Sequence, residues 1–102
     1  MSRTIVHIPY SDQQQADAAI RGLLLNRGFR MRADNNGLYW QKGVGFWVAP
    51  RYVKYDFYQN EILLQAWITN LGVETDLNGM VGAVPKKELK EIVQIIQLSV
   101  KP

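Results

Sequence analysis

Residues 44–69 read VGFWVAPRYVKYDFYQNEILLQAWIT, and this stretch decides the fold. From Glu61 onward Ile62, Leu64, Ala66 and Ile68 alternate with Glu61, Leu63, Gln65, Trp67 and Thr69. Successive side chains of a strand point to opposite faces, so the first set can line a core while the second faces elsewhere. Before Tyr58-Gln59-Asn60-Glu61, Val53, Tyr55 and Phe57 alternate with Tyr52, Lys54 and Asp56 in the same way. The pattern predicts two long strands joined by a turn at Tyr58 to Glu61. Pro50 falls in the first of them, and the phase of alternation shifts across Pro50-Arg51, which predicts a bulge there.

Working outward, Arg3 to Ile8 reads as a short strand that Pro9 ends, with Thr4, Val6 and Ile8 on one face and Arg3, Ile5 and His7 on the other. Ser11 and Gln14 have capping-box spacing. Ala16, Ala19, Ile20, Leu23 and Leu24 then form an apolar stripe up to Gly28, so a helix is expected over Asp12 to Arg27. Phe29 to Ala33 and Leu38 to Lys42 are expected strands around the turn Asp34-Asn35-Asn36-Gly37, because Asn and Gly tolerate positive φ. Gly43 to Gly45 allows the next reversal. Val73 to Leu77 fits a short strand or irregular chain. Pro85 suits the start of a closing helix, in which Leu89, Ile92, Val93 and Ile96 recur at i, i+3, i+4 and i+7.

The resulting order is β-α-β4-α, an α+β domain. Each helix has one apolar face, so both are expected on one side of a curved antiparallel sheet. That element order resembles the TATA-binding-protein-like scaffold, and a scaffold does not fix a function.

The 102 residues suffice for one domain, residues 1–102. Apolar residues make up 47% and charged residues 21%, a globular composition rather than a disordered one. A net charge of +3 admits an anionic partner without requiring one. The absence of cysteine excludes disulfides and thiolate zinc sites and fits a reducing compartment. Neither a signal peptide nor a run of roughly 20 apolar residues is present, so the expected location is the cytoplasm, with no membrane partner.

Few residues carry recognisable chemistry. His7 is the only histidine, and a packed or half-exposed strand histidine explains it better than a catalytic base. Neither a metal nor a cofactor is expected, and the glycine-rich pieces near Gly43 and Gly79 lack the Lys-Ser/Thr of a phosphate loop. Asp56 with Glu61, and Glu74 with Asp76, have the residue types for acid–base work or Mg²⁺, but solvated turn carboxylates explain them as well. Lys86 and Lys87 in the first turn of the last helix oppose its dipole and form a weak candidate anion site, against a surface pair offset by Glu88 and Glu91.

The aromatic residues are more informative. They make up 11% of the chain and crowd the strand region. If Ile62, Leu64, Ala66 and Ile68 face the helices, a helix-free face mixes Arg30, Arg32, Tyr52, Lys54, Gln65 and Trp67 with either Tyr39 or Trp40. Trp, Tyr and Arg dominate protein hot spots, and the same mixture can stack bases and neutralise phosphates. A small sheet shielding its apolar surface with long amphipathic side chains is the plain structural explanation. The first expectation is therefore a non-enzymatic interaction module whose partner is a second copy, as a homodimer, or another protein. Single-stranded nucleic acid or another anion on the same face comes second. A small ligand-binding domain or enzyme with a pocket between sheet and helix comes third.

The segments Tyr58-Gln-Asn-Glu-Ile-Leu-Leu-Gln-Ala-Trp-Ile68 and Gly79-Met-Val-Gly-Ala-Val-Pro-Lys-Lys-Glu-Leu-Lys90 resemble a small domain family of unknown function from Gram-positive bacteria. In that family the domain often follows a Cys-rich zinc ribbon, which this cysteine-free chain lacks. The resemblance implies a bacterial origin and no particular activity.

Overall fold

The computed structural model describes residues 3–43, 50–70, 73–75 and 83–102; for 70, 73–75 and 83–85 it describes the backbone alone. The elements are β1 Thr4–Pro9, α1 Gln13–Asn26, β2 Arg30–Asp34, β3 Gly37–Lys42, β4 Arg51–Phe57, β5 Glu61–Asn70, β6 Val73–Thr75 and α2 Ala83–Ser99. The chain is thus α+β, with the expected elements, and of the two readings of the stretch from Val73 the short strand is present as β6. The antiparallel sheet runs β1-β5-β4-β3-β2, and β6 also pairs with β5. Ile68 pairs with Arg51 on one side and Thr75 on the other, so β6 continues the edge that β1 occupies.

The alternation seen in the sequence is realised across the register. Ile62, Leu64, Ala66 and Ile68 are fully buried, and together with Ile8, Trp40 and Val53 they form the sheet's contribution to the core. Ala16, Ile20 and Leu24 from α1 and Leu89, Ile92, Val93 and Ile96 from α2 join the same cluster, so both helices cover one face. Burying each of the larger aliphatic side chains is worth about 1.5–3 kcal/mol. The opposite face has no helix among the described residues. No described helix is long and apolar enough to cross a membrane.

The helix ends follow local chemistry. Asp12, not Ser11, is the N-cap of α1: its Oδ1 accepts from the Gln14 and Gln15 amides at 2.9 and 3.3 Å. Ser11 instead gives its backbone N–H to the Lys101 carbonyl, which ties the start of α1 to the chain's last residues. At the other end Phe29 N–H reaches Leu24 O and Gly28 N–H reaches Leu25 O, a Schellman closure. Gly28 takes the left-handed φ of 90° that this closure needs. The hairpin turn 34–37 closes as expected, with Asn36 N–H donating to Asp34 Oδ1 and Gly37 at φ 117°.

Three expectations shift. The helix α2 begins at Ala83, so Pro85 lies within its first turn and not at its start. The short strand expected from Val73 covers Val73–Thr75, and Leu77 falls outside the described residues. Pro50 lies ahead of β4 and not within it, and residues 44–49, on which the expected bulge and most of the Gly43–Gly45 reversal depend, lie outside the described residues. What is described there is Pro50 just ahead of β4, its carbonyl accepting from Thr69 N–H at 3.3 Å.

Candidate binding face

Pairing partners in a sheet share a face, so the register assembles the open face row by row. Tyr52 stands opposite Trp67 and Gln41, and Gln41 stands opposite Arg30. Arg3 closes this row at the β1 end, its guanidinium 3.7 Å from the centre of the Trp67 ring. In the next row Gln65 stands opposite Ile5 and Lys54, and Tyr39 opposite Arg32. All six residues singled out in the sequence, Arg30, Arg32, Tyr52, Lys54, Gln65 and Trp67, therefore share one face. The register also decides between the neighbours Tyr39 and Trp40. Trp40 pairs with buried Val53 and is itself buried, which leaves Tyr39 on the open face.

Among the described residues these two rows carry Arg3, Arg30, Arg32 and Lys54 and no carboxylate. Asp56, opposite Leu63, and Asp34, opposite Gly37, lie one row further toward the 58–61 turn. Glu61 lies beyond them, 3.0 Å from exposed His7 Nδ1. On the other side Glu74 takes the register position opposite Thr69. The two rows are thus a cationic and aromatic band between acidic margins.

The band is partly self-organised. Tyr52 and Trp67 stack with ring centres 5.3 Å apart and planes 8° from parallel, and the Tyr39 and Tyr52 rings are 6.0 Å apart. Arg3 Nη1 donates to Gln65 Oε1 at 3.0 Å. Lys54 Nζ donates to the Asn36 carbonyl at 2.9 Å. Trp67 is consequently only 6% exposed, although it belongs to the helix-free face. Arg3 and Tyr52 cover its ring. Arg3, Asp34, Tyr39, Tyr52, Lys54 and Gln65 are among the walls of a concavity of about 430 Å³. Arg3 was not among the residues expected here: alternation puts it on one side of β1 with Ile5 and His7, and only the pairing of β1 with β5 brings it to Trp67.

The other candidates fare differently. Lys86 is buried at 3% exposure while Lys87 is exposed, so the two do not form a surface pair. Asp56 and Glu61 sit in different rows, Asp76 is outside the described residues, and no group of three potential metal-ligating side chains occurs among the described residues.

Behind the sheet, Glu88 of α2 receives Lys42 Nζ at 2.6 Å and Arg51 Nη2 at 3.2 Å. This ion cluster ties α2 to β3 and β4. A second hollow, of about 590 Å³, lies between α1 and the inner side of the β2–β3 hairpin, with Asp17, Arg21, Met31, Leu38, Trp40 and Phe57 among its walls. Beside it the Tyr55 hydroxyl donates to Asp17 Oδ1 at 2.9 Å. Burial first, and then the hydrogen bond and negative charge of Asp17, push the Tyr55 phenol well above its ordinary range.

Comparison of the chain with family models, curated proteins and solved structures finds no match in any of the three. The functional reading therefore rests on the geometry of this face.

Proposed function

We propose that the protein is a non-enzymatic interaction module whose working surface is the open face of the sheet and whose partner is another protein. The observation that carries the reading is the band of Arg3, Arg30, Arg32 and Lys54 interleaved with Tyr39 and Tyr52, set against a 430 Å³ concavity that Asp34 also lines. Tyr and Arg provide large contact area and directional donors at modest entropic cost. A protein is favoured over single-stranded nucleic acid because Trp67, the best stacking ring, is already covered by Tyr52 and Arg3. A second copy is the less favoured protein partner, since two such bands face to face bring like charges together.

The reading is tested by placing a photo-crosslinking side chain at Tyr39 and, as control, at exposed Gln94 on α2. A discrete protein adduct from Tyr39 alone, lost on Lys54→Glu, supports it. Equal adducts from both positions refute it. Oligonucleotide binding that weakens steeply between about 50 and 200 mM salt would replace it with the nucleic-acid reading. Sedimentation at micromolar concentration separates a homodimer from a monomer awaiting another protein.

The scaffold itself we propose to be of the TATA-binding-protein-like kind, since β6 aside its elements run in that order. The cysteine-free sequence supports a cytoplasmic setting.

A further inference from the structure

We propose that the outer edge of β2 accepts an extended acidic segment of the partner as an added strand. Its carboxylates would meet Arg30 and Arg32, and its alternate apolar side chains would meet Met31. The proposal rests on the interaction-module reading and narrows the partner's chemistry.

β2 is the last strand of the sheet path, and all five of its residues, Arg30–Asp34, are exposed. Its backbone groups on the outer side thus have no neighbouring strand among the described residues, and such an edge is a template for strand addition. Edges are ordinarily blunted by proline, a bulge, an inward-pointing charge, shortness or charged side chains. β2 has no proline, bulge or inward charge: its register with β3 runs unbroken from Arg30↔Gln41 to Asp34↔Gly37, and its inward positions are Met31 and Ala33. What guards it is charge, Arg30, Arg32 and Asp34 on a five-residue strand, which selects the partner by its own charge.

The two sides of this edge ask for different residues. On the open side Arg30 and Arg32 lie two positions apart, matching the side-chain repeat of an added strand, and Asp34 follows two further on, so the incoming carboxylates belong at the Arg30–Arg32 end. Arg30 spends one N–H on its neighbour Phe29 O at 3.3 Å, leaving the rest of its guanidinium to bond elsewhere. On the inner side Met31 is 37% and Leu38 58% exposed where the hollow beneath the hairpin opens past the sheet edge. An incoming strand of alternating acidic and apolar residues satisfies both sides at once. A second copy fits less well in two registers: antiparallel self-pairing centred on Arg32 opposes Arg32 to itself, and pairing centred on Met31 opposes Arg30 to Arg32. Pairing centred on Ala33 instead opposes Arg32 to Asp34 and is the self-pairing that the experiment must find absent.

The probe is a blocked eight-residue peptide of alternating Glu and Val, with a Lys and Val peptide as control, titrated into the ¹⁵N-labelled full chain at low salt. Saturable shifts and slowed amide exchange at Arg30–Asp34 are expected with the Glu peptide only, weakening as salt rises. The variant R30E/R32E should reverse the preference, favouring the Lys peptide tenfold or more. R30Q/R32Q, which adds no new charge, should lose the preference while keeping the wild-type melting temperature. N-methylation of alternate peptide residues should abolish binding if backbone pairing is involved. Equal binding of the two peptides, no response at Arg30–Asp34 at millimolar peptide, or β2 occupied by a second copy overturns the proposal. Shifts confined to Tyr39, Tyr52 and Lys54 also overturn it, while leaving the open-face reading intact.

Discussion

Replacing Glu88 by Gln removes the one carboxylate shown to receive both Lys42 and Arg51, at 2.6 and 3.2 Å. The side chains of Arg51, Glu88 and Lys42 are 11%, 25% and 31% exposed, so the cluster lies between the buried and the surface case. Breaking a fully buried pair costs about 3–5 kcal/mol, and an exposed pair is worth less than about 1 kcal/mol. A buried Arg51 with two partly wet partners places Glu88→Gln at about 2–3 kcal/mol. For a domain of this size the melting temperature should fall by roughly 10–20 °C. Urea unfolding at neutral pH, followed by circular dichroism, measures the loss as a shifted midpoint with an unchanged slope. The penalty should persist in high salt, which screens exposed pairs far more than buried ones. It should also shrink in an Arg51→Met background, where Glu88 has less to neutralise. A loss below about 0.5 kcal/mol, or one that Arg51→Met leaves unchanged, would refute the claim that this cluster fastens α2 to the sheet.

Three further outcomes are expected. Because the folded Tyr55 phenol titrates above its unfolded value of about 10, its contribution is complete below that pH and is lost as pH rises beyond it. Tyr55→Phe should therefore flatten the fall in urea midpoint above pH 10, and an unchanged pH profile would contradict this. Arg3→Met keeps an apolar stem but removes the cation over Trp67. It should cost about 0.5–2 kcal/mol and make Trp67 more accessible to an aqueous fluorescence quencher, whereas unaltered quenching would show that Arg3 is not its cover. Asp12→Ala should cost about 1 kcal/mol by uncapping α1, while Ser11→Ala should cost little; the reverse ranking would restore Ser11 as the cap.

The parts of the fold legible in the sequence were those governed by local periodicity. Ile62 to Ile68 and Leu89 to Ile96 declare their faces by spacing alone, and burial follows that spacing. The cap of α1 was misassigned because Ser11 and Asp12 are adjacent and both competent. What separates them is a backbone bond from Ser11 to Lys101, remote in sequence. The open face was legible as a set of residues but not as an arrangement. Alternation assigns Trp67 to the open side, yet its cover comes from a strand 62 residues away in sequence, as the Arg3–Gln65 bond records. The choice between Tyr39 and Trp40, and the burial of Lys86, likewise depend on neighbours that no local pattern names.

The position of β1 beside β5 has a kinetic consequence. The strands β2 to β5 form a meander of neighbours in sequence, whereas β1, the earliest strand made, must wait for a partner about fifty residues downstream. Closing a loop of that length costs on the order of 3–4 kcal/mol of chain entropy before any pairing is gained. A nascent or refolding chain therefore presents Ile62, Leu64 and Ala66 with an unfilled edge until its own first strand arrives. At high concentration the β1 of another molecule can arrive first. Refolding yield should then fall with protein concentration through strand-exchanged species, which dilution during refolding would suppress.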